Sequence, residues 1–297
     1  MKLVRTVQEL RTELAPARQA GLRIGLVPTM GAFHDGHRSL MVRAREHCEV
    51  VVVSLFVNPT QFNQASDLSA YPRDEASDLL LAKTAGVDYL FAPQVSEIYP
   101  AGFAANVHIG GPTEVLEGEM RGPAHFDGVT TVVTKLFNIV QPQRAYFGQK
   151  DAQQCSVIRK LVRDLNLAVE IEVCPTVREP DGLAMSSRNL HLSASERLKA
   201  LTLSQALTAA ATAVRSGSRD SELIRAAALK ILDDADVESE YFQLADPDTL
   251  AVVDRIEGPV LALVAARVGS TRLIDNQLLT TACTAVTGAG SNNDWSL

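Results

Sequence analysis

Two histidines three residues apart, His34 and His37, sit in the run Pro28-Thr29-Met30-Gly31-Ala32-Phe33-His34-Asp35-Gly36-His37. An apolar segment precedes this run and helix-period sequence follows it, so it reads as a strand–turn–helix. In an open α/β sheet, ligands bind beyond the carboxyl ends of the strands. A helix N-terminus at that place offers unpaired N–H groups and partial positive charge to a phosphate. Imidazoles at this spacing can face one pocket, hydrogen-bond phosphate oxygens and stabilise the charge that develops when an α–β phosphate bridge breaks. Gly36 lets a nucleotide come close to the backbone. A His-x-x-His pair also suits a metal or a solvated turn. Zinc is the weaker of these readings, because no Cys or Asp/Glu-His cluster supplies an evident remaining ligand set.

A second group is Met185-Ser186-Ser187-Arg188-Asn189. Two hydroxyls and a guanidinium in succession suit a mobile loop that closes on triphosphate oxygens. A polar connection between domains is the plain alternative. Gln61 lies just past the apolar run 50–57, at the ligand edge of a strand, and Asn58 lies there too. Lys150 follows another strand, at a helix start where a cation is disfavoured unless a ligand anion compensates it.

The elements that must position these residues follow from hydrophobic pattern. Short β-branched runs alternate with helical-period segments over the first 175 residues, the signature of a parallel α/β sheet. Strands are expected over 22–28, 50–57, 87–92, 144–147 and 168–173, and helices over 36–47, 74–85, 129–140 and 152–166. The valines at 50–53 are apolar on both faces, as in a central parallel strand. Leu40, Met41, Ala44 and Cys48 recur at helical spacing and are expected to pack on that sheet. Past Cys174 the pattern changes. Ser193-Ala194-Ser195-Glu196 resembles a capping box opening a helix to about residue 215. A helix over 222–232 and strands over 239–244, 260–267 and 271–274 follow. The expected architecture is a Rossmann-like parallel-sheet domain over 1–176, a small α+β lid domain over 177–287, and a disordered tail over 288–297.

Composition removes several classes of function. Of 297 residues, 46% are hydrophobic and 21% charged, so disorder, collagen-like and disulfide-scaffold classes drop out. A net charge of −7 and 5% aromatic residues give neither the bulk attraction nor the stacking surface of a nucleic-acid binder. The longest apolar run is too short to span a membrane, and the N-terminus lacks a secretory apolar core. Four widely spaced cysteines (Cys48, Cys155, Cys174 and Cys283) fit free thiols in a cytoplasmic protein.

The His-x-Gly-His turn and the Met-Ser-Ser-Arg segment together resemble the nucleotidyltransferase superfamily. More narrowly, five motifs in order over residues 24–190 resemble the pantoate–β-alanine ligase family. These are Pro28 to His37; Phe56-Val57-Asn58-Pro59-Thr60-Gln61-Phe62; Tyr71-Pro72-Arg73; Phe147-Gly148-Gln149-Lys150-Asp151 with Gln153-Gln154; and Arg178-Glu179 with Asp181 to Asn189. The stretch Arg267 to Asn276 is also similar to the family in pattern. The resemblance implies ATP-driven condensation of pantoate with β-alanine through a pantoyl-adenylate, with release of AMP and pyrophosphate. It implies that Met30, Gly31, Ala32, Phe33, His34, Asp35, Gly36 and His37 line the ATP site, with His37 as proton donor. Gly148, Gln149, Lys150, Asp151, Val177, Met185, Ser186, Ser187 and Arg188 complete that site by the same resemblance. Catalysis falls to His37, His34, Lys150 and Arg188, while Gln61, Gln154 and Asn58 hold pantoate. Asp78 matches a carboxylate that in relatives helps hold Mg²⁺, and a homodimer is implied. Arg121 and His125 belong to a loop near the phosphates.

The chain departs from the family's pattern at Gln149 (usually Glu), Ala152 (commonly aromatic) and Phe33 (usually Leu), and in an Arg121 loop one residue longer. His47, His108 and His191 have no motif behind them and read as structural or solvated. Three rival functions stand beside this one. A transferase leaving AMP or CMP on a phosphorylated product needs a cationic substrate pocket where Gln61 and Gln154 offer amides. A non-catalytic nucleotide-binding module is opposed by the intact His34, His37, Lys150 and Arg188. An RNA-binding synthetase relative is opposed by the charge and the small C-terminal part.

Overall fold

A parallel strand covered on both faces needs consecutive apolar residues, and β3 (Val50–Leu55) has them, with Val51, Val52 and Val53 fully buried. In the computed structural model, which describes residues 1–281, this strand lies inside a six-stranded parallel sheet. Its neighbours are β2 (Ile24–Thr29), paired Leu26 to Val52, and β4 (Tyr89–Phe91), paired with Val53 opposite Leu90. A three-residue strand, β1 (Lys2–Val4), closes the edge beyond β4, and β5 (Arg144–Gly148) and β6 (Glu170–Cys174) extend the sheet beyond β2. The order is therefore β1-β4-β3-β2-β5-β6.

The chain winds outward from β2 to β4 and then returns to the far side of β2 for β5. That reversal marks a switch point at the carboxyl ends of β2 and β5, where doubly wound sheets bind ligands. Helices α1 (Val7–Gln19), α2 (Asp35–His47), α3 (Ala65–Ala70), α4 (Glu75–Thr84), α5 (Val95–Ile98), α6 (Glu117–Arg121), α7 (Pro123–Val140) and α8 (Ala152–Asp164) connect the strands. Leu40, Met41 and Ala44 of α2 and the following Cys48 are buried in one cluster with Val51, Val53 and Tyr146, as their spacing predicts. Removing such side chains from water contributes roughly 1.5–3 kcal/mol per large aliphatic residue.

The chain divides into two compact units: Met1–Gly148 with Gln153–Cys174, and Gln149–Ala152 with Pro175–Leu297. In the second unit, α9 (Ala194–Arg215) and α10 (Ser221–Asp234) pack on an antiparallel sheet of β7 (Glu238–Ala245), β8 (Val260–Val268) and β9 (Thr271–Leu279). Leu203, Leu207 and Val214 of α9, Leu232 of α10, Phe242 of β7 and Val264 of β8 form its core. The capping box at Ser193 and Glu196 is present. The expected α/β class with a smaller α+β part is the observed one.

Several elements differ from the sequence reading, three of them in ways that bear on the site or the sheet. The strand β1 was not expected. Helix α7 begins at Pro123 rather than 129, since proline is well placed at the first helical position. Strand β9 continues past 274 to Leu279, through polar residues whose side chains find buried partners. Cys283 and the stretch 288–297 lie outside the described residues.

Candidate active site

The turn after β2 is shaped by two left-handed residues, Gly31 (φ +91°) and Ala32 (φ +54°). A Cβ on Gly31 would stand 2.6 Å from Leu55 Cδ1 and 2.9 Å from Asp78 Oδ2, so glycine is required there. Asp78, 3% exposed on α4, then braces the turn: its Oδ2 accepts the Ala32 N–H at 3.0 Å and its Oδ1 the Phe33 N–H at 2.6 Å. Burial pushes this carboxyl above its usual range, against the lowering effect of the two amides. The sequence reading placed Asp78 at Mg²⁺. Here both its oxygens serve the backbone, and no group of three or more His, Cys, Asp or Glu among the described residues could hold a metal ion. In this structure Asp78 is a brace for the turn.

His34 is the N-cap of α2. Its Nδ1 accepts the Gly36 N–H at 3.1 Å, and His37 Nδ1 accepts the His34 N–H at 3.3 Å. The ring centroids are 4.2 Å apart. Because each Nδ1 acts as an acceptor, the proton of each neutral ring resides on Nε2. The motif thus places both imidazoles beside the N-terminus of α2, where an anion is favoured.

Asn58 and Gln61 flank the 3-10 turn Pro59–Gln61. Asn58 is 1% exposed and saturated: Nδ2 donates to the Gly128 carbonyl and to Gln61 Oε1, both at 3.1 Å, while Oδ1 accepts from Tyr99 Oη at 2.8 Å and Thr60 Oγ1 at 2.9 Å. Its side chain holds the turn instead of presenting itself to solvent. With Oε1 occupied, Gln61 directs Nε2 toward Met30 Sδ at 3.0 Å, so two of the expected site residues meet. His125 Nδ1 contacts the Gln61 carbonyl at 2.8 Å, and Arg121 pairs with Glu117 at 2.8 Å. Helix α7 reaches this turn through Gly128, where a Cβ would lie 2.7 Å from the Thr60 carbonyl. On α8, Gln153 binds the Pro112 and Val115 carbonyls and the Glu117 N–H, whereas its neighbour Gln154 is half-buried. At the end of β5, an added Cβ on Gly148 would meet nothing within 4 Å, so protein packing does not demand that glycine.

The second unit carries the other candidates. Lys150 lies on the turn Gln149–Asp151, its side chain 18% exposed and 3.8 Å from Asp151 Oδ1. The Gln149 and Lys150 carbonyls both accept from Asn276 Nδ2, at 2.8 and 2.9 Å. Val177 and Met185 face each other in a hairpin, the Met185 N–H donating to the Val177 carbonyl at 3.0 Å. This hairpin is pinned by Arg178 to Asp275 (2.6 and 3.0 Å) and by Arg197 to Glu179 and Asp181 (2.5 and 2.6 Å). Ser186 caps the turn Ser187–His191 through the Arg188 N–H at 3.3 Å. Arg188 is exposed and has no ion-pair partner among the described residues. Thr176 Oγ1 and Asn189 Oδ1 are buried without a partner, beside Val177 and Arg188. His47 pairs with Glu172 and His108 with Asp127, which agrees with structural roles, and His191 is exposed.

Sequence reasoning missed Tyr99 and Gly128, whose partners are distant in sequence and which no local pattern signals, and it gave Asn276 no role beyond its place in the stretch similar to the family.

Comparison with known proteins bears on what this arrangement belongs to. The family model described as Pantoate-beta-alanine ligase matches residues 2–278. The pantothenate synthetase 1 of Bradyrhizobium diazoefficiens is 54% identical over 280 residues, covering 94% of this chain and 98% of that protein. Among solved structures, the pantothenate synthetase of Thermus thermophilus superposes with a TM-score of 0.88 at 46% identity, over 93% of this chain and 99% of that one. The pantoate-beta-alanine ligase of Francisella tularensis, whose structure is of a complex with beta-gamma ATP and beta-alanine, superposes with a TM-score of 0.76 at 33% identity, over 94% of this chain and 97% of that one. With nearly its whole length matched in sequence and in fold, the chain belongs to the pantoate-beta-alanine ligase family.

Proposed function

We infer that this chain is an ATP-dependent acid–amine ligase that joins pantoate to β-alanine, releasing AMP and pyrophosphate. Family membership over nearly the whole chain supports the reaction. The observation that carries the chemistry is the pair of imidazoles, ring centroids 4.2 Å apart, whose Nδ1 atoms accept backbone N–H groups at the N-terminus of α2.

In the first step a pantoate carboxylate oxygen attacks the α-phosphorus of ATP. An O–P bond forms, the bridge to the β-phosphorus breaks, and pyrophosphate leaves with the electron pair. In the second step the amine of β-alanine attacks the acyl carbon of the pantoyl-adenylate. A C–N bond forms, AMP departs, and the amine loses a proton. Pantoate needs no nucleophilic side chain, so the protein's work is positioning and charge neutralisation. His34 and His37 donate hydrogen bonds to phosphate oxygens. Lys150, Arg188, Ser186 and Ser187 offset charge on the leaving pyrophosphate. Met30 to His37, Gly148 to Asp151, Val177 and Met185 enclose the nucleotide. Gln61 presents an amide N–H to an acceptor of pantoate, Gln154 supplies a second amide, and Asn58 acts by holding Gln61. Magnesium enters bound to the ATP phosphates, a mode that asks for few protein ligands. Residues 1–176 bind ATP and pantoate, and a smaller α+β domain follows from residue 177. Among the described residues Cys48, Cys155 and Cys174 are buried and form no disulfide, which supports a reducing, cytoplasmic setting, and no helix is long and apolar enough to cross a membrane. The assembly is a homodimer.

The test is product release from MgATP and pantoate, with and without β-alanine. Pyrophosphate release that requires pantoate, with sustained AMP release only once the amine is added, is the expected result. Pyrophosphate without AMP turnover under any amine would make the adenylylated compound the product, and no pyrophosphate would refute the substrate assignment.

A further inference from the structure

The turn that carries Lys150 is three residues long, Gln149–Asp151, with few hydrogen bonds of its own to fix it. Asn276 of β9 adds two more from outside the turn. Its side chain is buried, with Nδ2 donating to the Gln149 carbonyl at 2.8 Å and to the Lys150 carbonyl at 2.9 Å, while Gln149 Nε2 approaches its Oδ1 at 3.4 Å. Carbonyl oxygens only accept, so the Asn276 amide has one permitted orientation. The anchor is itself fixed. Asn276 pairs with Leu263 in the β8–β9 ladder, and its own N–H donates to Asp275 Oδ1 at 2.8 Å. Asp275 in turn holds Arg178 through two hydrogen bonds.

The Lys150 side chain is held more loosely. Its one ion pair among the described residues, with Asp151, is 3.8 Å long, and four rotatable bonds separate its ammonium from the backbone. Where that ammonium can reach is set by where the backbone of the turn stands. We propose that Asn276 is a positioning residue for the ligation, acting through Lys150 by fixing the backbone from which its ammonium meets the phosphates. The proposal rests on the phosphate role given to Lys150 above.

The test is a double-mutant cycle on pantoate-dependent pyrophosphate release from MgATP, with Asn276→Ala and the isosteric Asn276→Asp each made alone and in a Lys150→Ala background. The aspartate variant keeps the size of the side chain and replaces its donor with an oxygen that repels both carbonyls, so it covers the case in which the alanine variant fails to fold. A displacement near 1 Å at a reacting group costs on the order of 100-fold. The single variants should therefore lose roughly 10- to 100-fold in kcat, with the pantoate KM within about twofold. In the Lys150→Ala background the same substitutions should cost no more than about twofold, because residues acting as a unit are not additive. Equal losses in both backgrounds overturn the proposal and leave the assignment of Lys150 standing. An unchanged rate for Lys150→Ala overturns that assignment, and the proposal with it.

Discussion

Gly128→Ala is a substitution that helix propensity alone favours and this structure forbids. In the interior of α7, alanine in place of glycine ordinarily stabilises a helix by about 1 kcal/mol. Here the new Cβ would stand 2.7 Å from the Thr60 carbonyl carbon and oxygen and 2.8 Å from the Gln61 nitrogen, all backbone atoms. Ordinary contact begins near 3.4 Å, so α7 and the Pro59–Gln61 turn must part by at least about 0.7 Å. Overpacking of this kind costs roughly 1–3 kcal/mol, which cancels or exceeds the propensity gain. The same displacement stretches the hydrogen bond from Asn58 Nδ2 to the Gly128 carbonyl and swings Gln61, whose Oε1 that amide holds. A shift approaching 1 Å at a substrate-holding group costs on the order of 100-fold. We expect kcat/KM for pantoate to fall by roughly 30- to 100-fold, with the KM for ATP little changed and Tm lowered by no more than a few degrees. Steady-state kinetics with pantoate varied at saturating MgATP, paired with a thermal melt, measure both. A kcat/KM for pantoate within twofold of the parent would refute the argument.

Four further outcomes follow from the same geometry. His37→Ala should lower adenylate formation at least about 100-fold, as loss of one charge-stabilising donor does, and cost about 1 kcal/mol by removing an acceptor at the α2 cap; undiminished pyrophosphate release would count against its role. Asp78→Asn sets an amide NH₂ against one of two backbone N–H groups, so Tm should fall by several degrees, equivalent to about 1–3 kcal/mol, and turnover should fall with it; an unchanged melt would contradict the brace. Glu49, hydrogen-bonded by the Arg23 side chain and N–H, has its carboxyl lowered to about 2, so its stabilising contribution is complete above the ordinary value of 4.5 and is lost as pH falls from there toward 2. In Glu49→Gln the decline of Tm across that interval should be shallower, and an identical pH profile would show that the pair contributes nothing. Burial pushes the Cys174 thiol up to about 12, so iodoacetamide at pH 8 should leave it unmodified in the native protein and alkylate it after denaturation; rapid native labelling, read by peptide mass, would contradict its burial.

Much of the fold was legible because its signals are local. The valines of β3 announce a strand apolar on both faces, and α2 announces itself by Leu40, Met41, Ala44 and Cys48. The His34–His37 turn is visible for the same reason, since its function and its capping lie within four residues. What escaped the sequence depends on partners far along the chain. Strand β1 has only Lys2–Val4 to declare it and exists through pairing with β4. The end of β9 is hidden by Asp275, Asn276 and Gln277, polar residues that resemble a loop until Arg178 and the Gln149 turn are placed against them. Asn58 reads as a pantoate contact by its position after β3, yet its amide is consumed by Tyr99 and by Gly128, 41 and 70 residues away.

One rule accounts for the buried polar residues around these turns. A side-chain amide satisfies a carbonyl and a donor together without bringing charge into the interior, where an ion is costly unless compensated. Asn58 stands between the Gly128 carbonyl and two hydroxyl donors, and Gln153 between the Pro112 and Val115 carbonyls and the Glu117 N–H; both positions need a donor and an acceptor, and both carry amides. Asn276 meets two carbonyls on one side and the Gln149 amide on the other, and again an amide fits. Asp78 is the exception for a stated reason. The groups it serves are both N–H donors, from Ala32 and Phe33, so only a side chain with two acceptor oxygens satisfies the turn. The protein accepts the burial of a carboxylate there, and the upward shift of its titration is the physical trace of that choice. It follows that exchanging amide for acid at any of these four positions is not conservative, because the backbone groups around each have already determined which polarity it must have.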